Sequence, residues 1–153
     1  MTTGISRELV LGFFDARVSH DPVRIAKYLH DDVDWLIAGP VDLLHFCGHR
    51  HGKAAVLDNI VRIGPSLMRP TRMELQELLI DGDRAASFVM LSGILARTGR
   101  TVSYRSAQFM RFLDNKVTEF RSLIDSFDAA EQVLGHAIEV APEQARGHNV
   151  VMV

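Results

Sequence analysis

The stretch DGDRAASFVMLSGILARTGRTVSYRSAQFMRFLDNKVTEFRSLI, residues 81–124, decides the fold. Asp81-Gly82-Asp83, Thr98-Gly99-Arg100 and Asp114-Asn115 are turn clusters, because Gly and Asn tolerate the positive φ of tight hairpins. Between and after them lie Ala85–Ala96, Val102–Leu113 and Val117–Ile124, apolar runs of strand length. Upstream, after Pro70, Met73 and Leu75 alternate with Glu74 and Gln76, which adds a further strand. Strands divided only by short turns must be antiparallel neighbours, so this half of the chain predicts a meander.

The N-terminal half has the helical period instead. Ile5, Leu9 and Phe13 recur at i+4 over residues 4–19, with Val10 and Phe14 beside them. Asp21 suits an N-cap and Pro22 a first helical position, predicting a second helix to about Leu29 that ends at Asp31-Asp32. Val33, Trp35 and Ile37 then alternate as a strand to Ala38. Gly39-Pro40 opens an irregular loop through Gly52, a third helix covers 53–63, and Gly64-Pro65 reads as its stop. Ser126–His136 closes the domain as a helix, with Asp128 and Glu131 spaced as a capping pair and Gly135 near its end. Helices segregated from a sheet make the chain α+β. The expected architecture is a conical, strongly bent antiparallel sheet wrapped around the N-terminal helices, with a cavity lined by Phe13, Trp35, Ile37 and the inner faces of the later strands. One domain spans 1–136, and 137–153 is a weakly patterned tail.

Composition narrows the partners. The chain of 153 residues carries 17 Lys+Arg against 19 Asp+Glu, a net charge of −2, and is 47% apolar. That balance excludes a disordered chain. It also supplies no basic block for nucleic acid, and no run long enough to span a membrane. Cys47 is the only cysteine, which excludes an internal disulfide and fits a reducing compartment. Met1–Arg7 lacks the pattern of a secretory signal, so the expected location is the cytoplasm.

Four segments carry a resemblance. They are the Leu9–Asp21 helix, the Tyr28-Leu29-His30-Asp31-Asp32-Val33-Asp34-Trp35 junction, Gly48-His49-Arg50-His51-Gly52-Lys53-Ala54-Ala55, and Asn115-Lys116-Val117-Thr118-Glu119-Phe120 leading to Asp125 and Gln132-Val133-Leu134-Gly135. In order and spacing over about residues 5–136 the chain resembles the nuclear transport factor 2-like superfamily, and within it the polyketide-cyclase-like and ketosteroid-isomerase-like proteins. The resemblance implies a cystatin-like α+β barrel, a small hydrophobic ligand, no cofactor and a homodimer. It does not transfer the known catalytic sets. The ketosteroid isomerase Tyr, base and protonated Asp fall on Phe13, near Ile37 and on Gln108. The Arg-x-Asp pair and last-strand Asp of limonene epoxide hydrolases fall on Val89, Leu91 and Ser122. Only the acid/base Asp of the polyketide cyclases has a match, Asp125, seven residues before Gln132.

The candidate catalytic residues are therefore Asp125, as proton exchanger, and Gln108, polarising a carbonyl or hydroxyl through its amide. Phe13, Trp35, Ile37, Tyr104 and Ser122 are the candidate pocket residues. Asp125 has two other readings: a charge at the following helix N-terminus, or an ion pair with Arg121. Turning it inward would need a bulge near Leu123 or Ile124. His45, Cys47, His49 and His51 share a parity that could present zinc ligands. Gly48 and Gly52 instead suggest a turning loop there, and no metal is expected. Tyr104, Ser106, Gln108 and Met110 share one strand face, which puts Arg105, Phe109 and Arg111 on the other, as a protein interface. The function expected is a cofactor-free isomerase, cyclase or dehydratase acting on an apolar, polyketide- or steroid-like substrate. The alternative is a non-catalytic ligand-binding or dimerisation module.

Overall fold

The structure, a computed structural model, describes residues 4–141. The rest of the tail, 142–153, and the first three residues lie outside the described residues. Helix α1 covers Arg7–Ser19, shorter than the expected 4–19, because Ser6 caps it by accepting a hydrogen bond from the Leu9 N–H at 3.1 Å. Helix α2 is Pro22–Ala26. Asp21 caps it, accepting from the Val23 and Arg24 N–H groups, and Pro22 takes the first position. It stops three residues before Leu29. There the chain enters strand β1, Leu29–Ala38, whose start pairs with Val117, so sheet pairing overrides the helical spacing of Ile25 and Leu29.

The loop expected through Gly52 contains a strand, β2, Gly48–His51, antiparallel to β1. Helix α3, Lys53–Asp58, does not stop at Gly64-Pro65. A π-helical turn, Asn59–Ile63, follows it, and α4, Gly64–Leu67, continues to the sheet. The Gly64 N–H reaches back five residues to the Asn59 carbonyl, and this wider turn admits Pro65 without ending the helix.

Strands β3 (Met68–Asp81), β4 (Arg84–Leu95), β5 (Thr101–Leu113) and β6 (Lys116–Ile124) form the meander, with Asp114 and Asn115 both at positive φ in its last turn. The sheet order is β2-β1-β6-β5-β4-β3, curled and unclosed, with β1 running parallel to β6. Pro70 lies inside β3, which is an edge strand, the place where a missing N–H is tolerated. Helix α5, Ser126–Leu134, ends at Gly135, at φ 81°. Its N-cap is Asp125, not Asp128, and no side chain caps it; Glu131 accepts from the Ile138 N–H instead.

The concave face of the sheet and the buried faces of α1 and α3 enclose the core. Phe13, Trp35 and Phe120 are its largest apolar side chains, all fully buried. Trp35 stacks on Phe120 with ring centroids 3.8 Å apart, and Phe13 meets both edge-on. On the opposite face of β1, Asp34 binds His49 and Arg121. The His49 hydrogen bond, followed by Arg121, holds the Asp34 carboxyl below its ordinary 3.8. A depressed carboxylate contributes stability above its unfolded pKa and loses it as pH falls through the folded one. Asp34→Asn is expected to lower stability by about 1 kcal/mol at neutral pH and by progressively less below pH 4, read by chemical denaturation across pH.

Candidate ligand-binding site

A cavity of about 70 Å³, partly open to solvent, lies between the helices and the concave sheet face. Trp35 and Ile37 of β1, Tyr104, Ser106 and Gln108 of β5, and Ser122 and Ile124 of β6 form one wall. Phe46, Asn59, Ile60, Gly64 and Pro65 form another, and Met68, Pro70 and Met73 of β3 sit across from them. Arg17, in the last turn of α1, projects into this mostly apolar space.

Arg17 is the unusual group. Its guanidinium donates to Gln108 Oε1 at 3.1 Å and lies 4.9 Å from the Phe120 ring centroid and 5.4 Å from that of Trp35. Among the described residues it makes no ion pair with a carboxylate. Burial pushes its pKa down to about 10, so it stays a cation at neutral pH. Gln108, 1% exposed, passes the contact on: its amide nitrogen donates to Ser106 Oγ at 3.4 Å, and Ser106 and Ser122 share a hydrogen bond of 2.7 Å. Burial holds the Tyr104 phenol well above its ordinary 10, against the pull of Arg17, so it remains neutral. A half-buried cation backed by aromatic faces and a neutral amide attracts an anion, because no carboxylate among the described residues compensates its charge.

The expected site residues divide. Trp35, Ile37, Tyr104, Gln108 and Ser122 lie together on the cavity wall. Phe13 does not reach it; the ring is sealed behind Trp35 and Phe120 in the core. Asp125 does not reach it either. The strand does bulge, but at Thr118, where Val117 and Glu119 take consecutive partners on β5. From Phe120 onward the even-numbered residues face inward, so Ser122 and Ile124 line the cavity and Asp125 turns out. Its carboxylate lies 3.4 Å from Arg105 on the outer face, while Arg121 is taken by Asp34. The proton exchange expected of Asp125 has no geometry here. Gln132, counted with it in the resemblance, bonds the Ser103 backbone through both amide atoms.

The loop histidines diverge: His45 meets the Asp42 carbonyl, His49 meets Asp34, and Cys47 is buried with its thiol pushed up to about 11 by burial. No cluster of three metal-ligating side chains occurs among the described residues. Sequence reasoning missed Arg17 and Asn59. The signal for Arg17 was present: it continues the i+4 stripe of Ile5, Leu9 and Phe13, where a core side chain belongs.

A family model for the SnoaL-like domain matches residues 10–120. The chain belongs to the SnoaL-like domain family. A solved structure of a proposed isomerase from Rhodopseudomonas palustris is 33% identical to this SnoaL-like chain, with a TM-score of 0.79 over 86% of this chain and all of that one. The fold is also that of TerC co-crystallised with polyporic acid, at 20% identity and a TM-score of 0.70, covering 83% of this chain and 96% of TerC. A nuclear transport factor 2-like protein from Burkholderia xenovorans shares it at 21% identity and a TM-score of 0.66, over 81% of this chain and 92% of that one. No curated protein matches the sequence. Among the described residues, no helix is long and apolar enough to cross a membrane.

Proposed function

We propose that this SnoaL-like protein binds a small, mostly apolar molecule by one oxygen that is anionic or becomes so, seated against Arg17. The observation that carries the proposal is a guanidinium inside an apolar cavity with no carboxylate to neutralise it. Such a group favours any state in which charge collects on a ligand oxygen, the condition for enolisation and related isomerase- or cyclase-type steps. The likeness to an isomerase-designated relative supports that class. Gln108 orients Arg17 rather than acting alone, and Tyr104 offers a second neutral donor. Among the described residues the lining includes no Asp, Glu or His. This favours, as a second reading, a binding module without turnover, since no protein base stands beside the electrophile. Trp35 is the only tryptophan and lines the cavity, so it reports occupancy. Cyclohexanecarboxylate is expected to change its emission saturably, and the uncharged cyclohexanecarboxamide to bind at least tenfold more weakly; equal binding of the two overturns the reading.

We also propose that the outer sheet face receives a second copy of the chain. Leu79, Phe88, Phe109 and Leu123 are 72%, 37%, 51% and 59% exposed. They occupy two adjacent cross-strand rows, Leu79-Ala86-Phe109-Arg121 and Glu77-Phe88-Ala107-Leu123. A contiguous apolar patch flanked by Arg105 and Arg111 suits an isologous interface. Light scattering is expected to give a dimer mass for the parent and a monomer mass for Phe109→Asp; a parent monomer at all concentrations contradicts it. The single buried cysteine is consistent with a cytoplasmic protein.

A further inference from the structure

Two residues of the cavity lining each hold a buried polar atom without a partner, and the two atoms have opposite hydrogen-bonding sense. Trp35 Nε1 is a donor with no acceptor, and Asn59 Oδ1 is an acceptor with no donor. Both residues are essentially unexposed, at 0% and 2%. Asn59 is fixed in orientation, because its amide nitrogen donates to the Phe46 carbonyl at 3.2 Å, which leaves Oδ1 as the free end. Its placement is also unusual. Asn59 opens the π-helical turn, and that turn is what brings Asn59, Ile60, Gly64 and Pro65 together on the cavity wall. Single π turns inside α-helices cost hydrogen-bond geometry and concentrate at functional positions. An orphaned buried amide oxygen costs free energy until something donates to it.

Arg17 and Trp35 are neighbouring donors of the lining, the guanidinium 5.4 Å from the Trp35 ring centroid, and Asn59, in the π-helical turn, is an acceptor. Phe46 and Tyr104 stack nearly parallel, 6.3 Å apart, and supply flat apolar wall. We infer that the ligand is bifunctional: a ring or short apolar body with a carboxylate or enolate oxygen for Arg17 and Trp35 Nε1, and, away from it, a hydroxyl that donates to Asn59 Oδ1. Hydroxylated aromatic or alicyclic acids are this class. The inference rests on the Arg17 reading and adds the second contact, together with Asn59 as the residue that selects for it.

The test is a calorimetric series on the full chain with benzoate, 3-hydroxybenzoate, 4-hydroxybenzoate and the matching methoxybenzoates as probes. One hydroxy isomer is expected to bind roughly three- to tenfold tighter than benzoate, the worth of one satisfied hydrogen bond, and its methoxy counterpart to lose that gain. In Asn59→Leu, of similar size, the ratio of hydroxy-isomer affinity to benzoate affinity is expected to fall to about one, whatever the absolute affinities. The wild-type series stands without the variant, should Asn59→Leu fail to fold. If benzoate binds but neither hydroxyl helps, or if the gain survives Asn59→Leu, the second contact is overturned and the Arg17 reading stands. If none of the five acids binds, both fall.

Discussion

Arg17→Met is expected to lower the affinity for a small carboxylate by roughly 10- to 100-fold while leaving the stability of the unliganded protein within about 1 kcal/mol. The two halves follow from one environment. A hydrogen bond to a charged group is worth about 1.5–3 kcal/mol, which sets the loss of affinity. Stability is a near-balance. Burial depresses the guanidinium pKa to about 10, a desolvation cost on the order of 1–3 kcal/mol once screening by cavity water is allowed for. Because the lowered pKa belongs to a cation, that cost is present at every pH below about 10. Methionine removes it, and gives up the Gln108 hydrogen bond and the cation–π contacts with Phe13, Trp35 and Phe120, worth about as much together. Titration calorimetry and urea denaturation on the same preparation check both halves. A structural arginine would behave oppositely, losing stability with little change in binding.

Trp35→Ala is expected to give the largest loss of stability of any single change discussed, about 3–5 kcal/mol by urea denaturation. Trp35 is fully buried, stacks on Phe120 and meets the edge of Phe13, so truncation opens a void in the tightest part of the core. It also removes the platform under Arg17. A loss below about 1 kcal/mol would mean that the neighbouring rings collapse into the gap. Trp35→Phe keeps most of the stack and should cost less than half as much.

The fold was legible wherever the pattern is local. The hairpin turns at Asp114-Asn115 and Gly82 have the positive φ that their residue types favour, and Asp21-Pro22 starts a helix as its chemistry dictates. Elements set by distant pairing were not. Nothing in Gly48-His49-Arg50-His51 reads as a strand until β1 lies beside it, and Leu29 leaves the helix because Val117 pairs with it. Gly64-Pro65 misled for a related reason, since a π turn relieves the missing N–H that normally ends a helix. At the site, alternation along β5 and β6 was enough to group Tyr104, Gln108 and Ser122 with Trp35 and Ile37. Phe13 was misplaced because the i+4 stripe shows which face is inward and not how deep each side chain lies. Asp125 was put forward on its spacing from Gln132, and the bulge near Leu123 or Ile124 that would turn it inward is not made: pairing is regular from Phe120 to Ile124, so Ser122 and Ile124 keep the inward phase. Arg17 was hidden by its own charge: a cation on an apolar stripe is easily read as the stripe's end, when here it is the member of the stripe that reaches the cavity.

The central claim is that a ligand anion sits against Arg17 inside the cavity. A crystal structure with 4-bromobenzoate tests it most directly, since the anomalous signal of bromine fixes the orientation of the ring. The account predicts bromine among the apolar side chains of the cavity and the carboxylate within hydrogen-bonding distance of the Arg17 guanidinium. A carboxylate pointing out to solvent, or bound to the exposed arginines of the outer sheet face with the cavity empty, would contradict it.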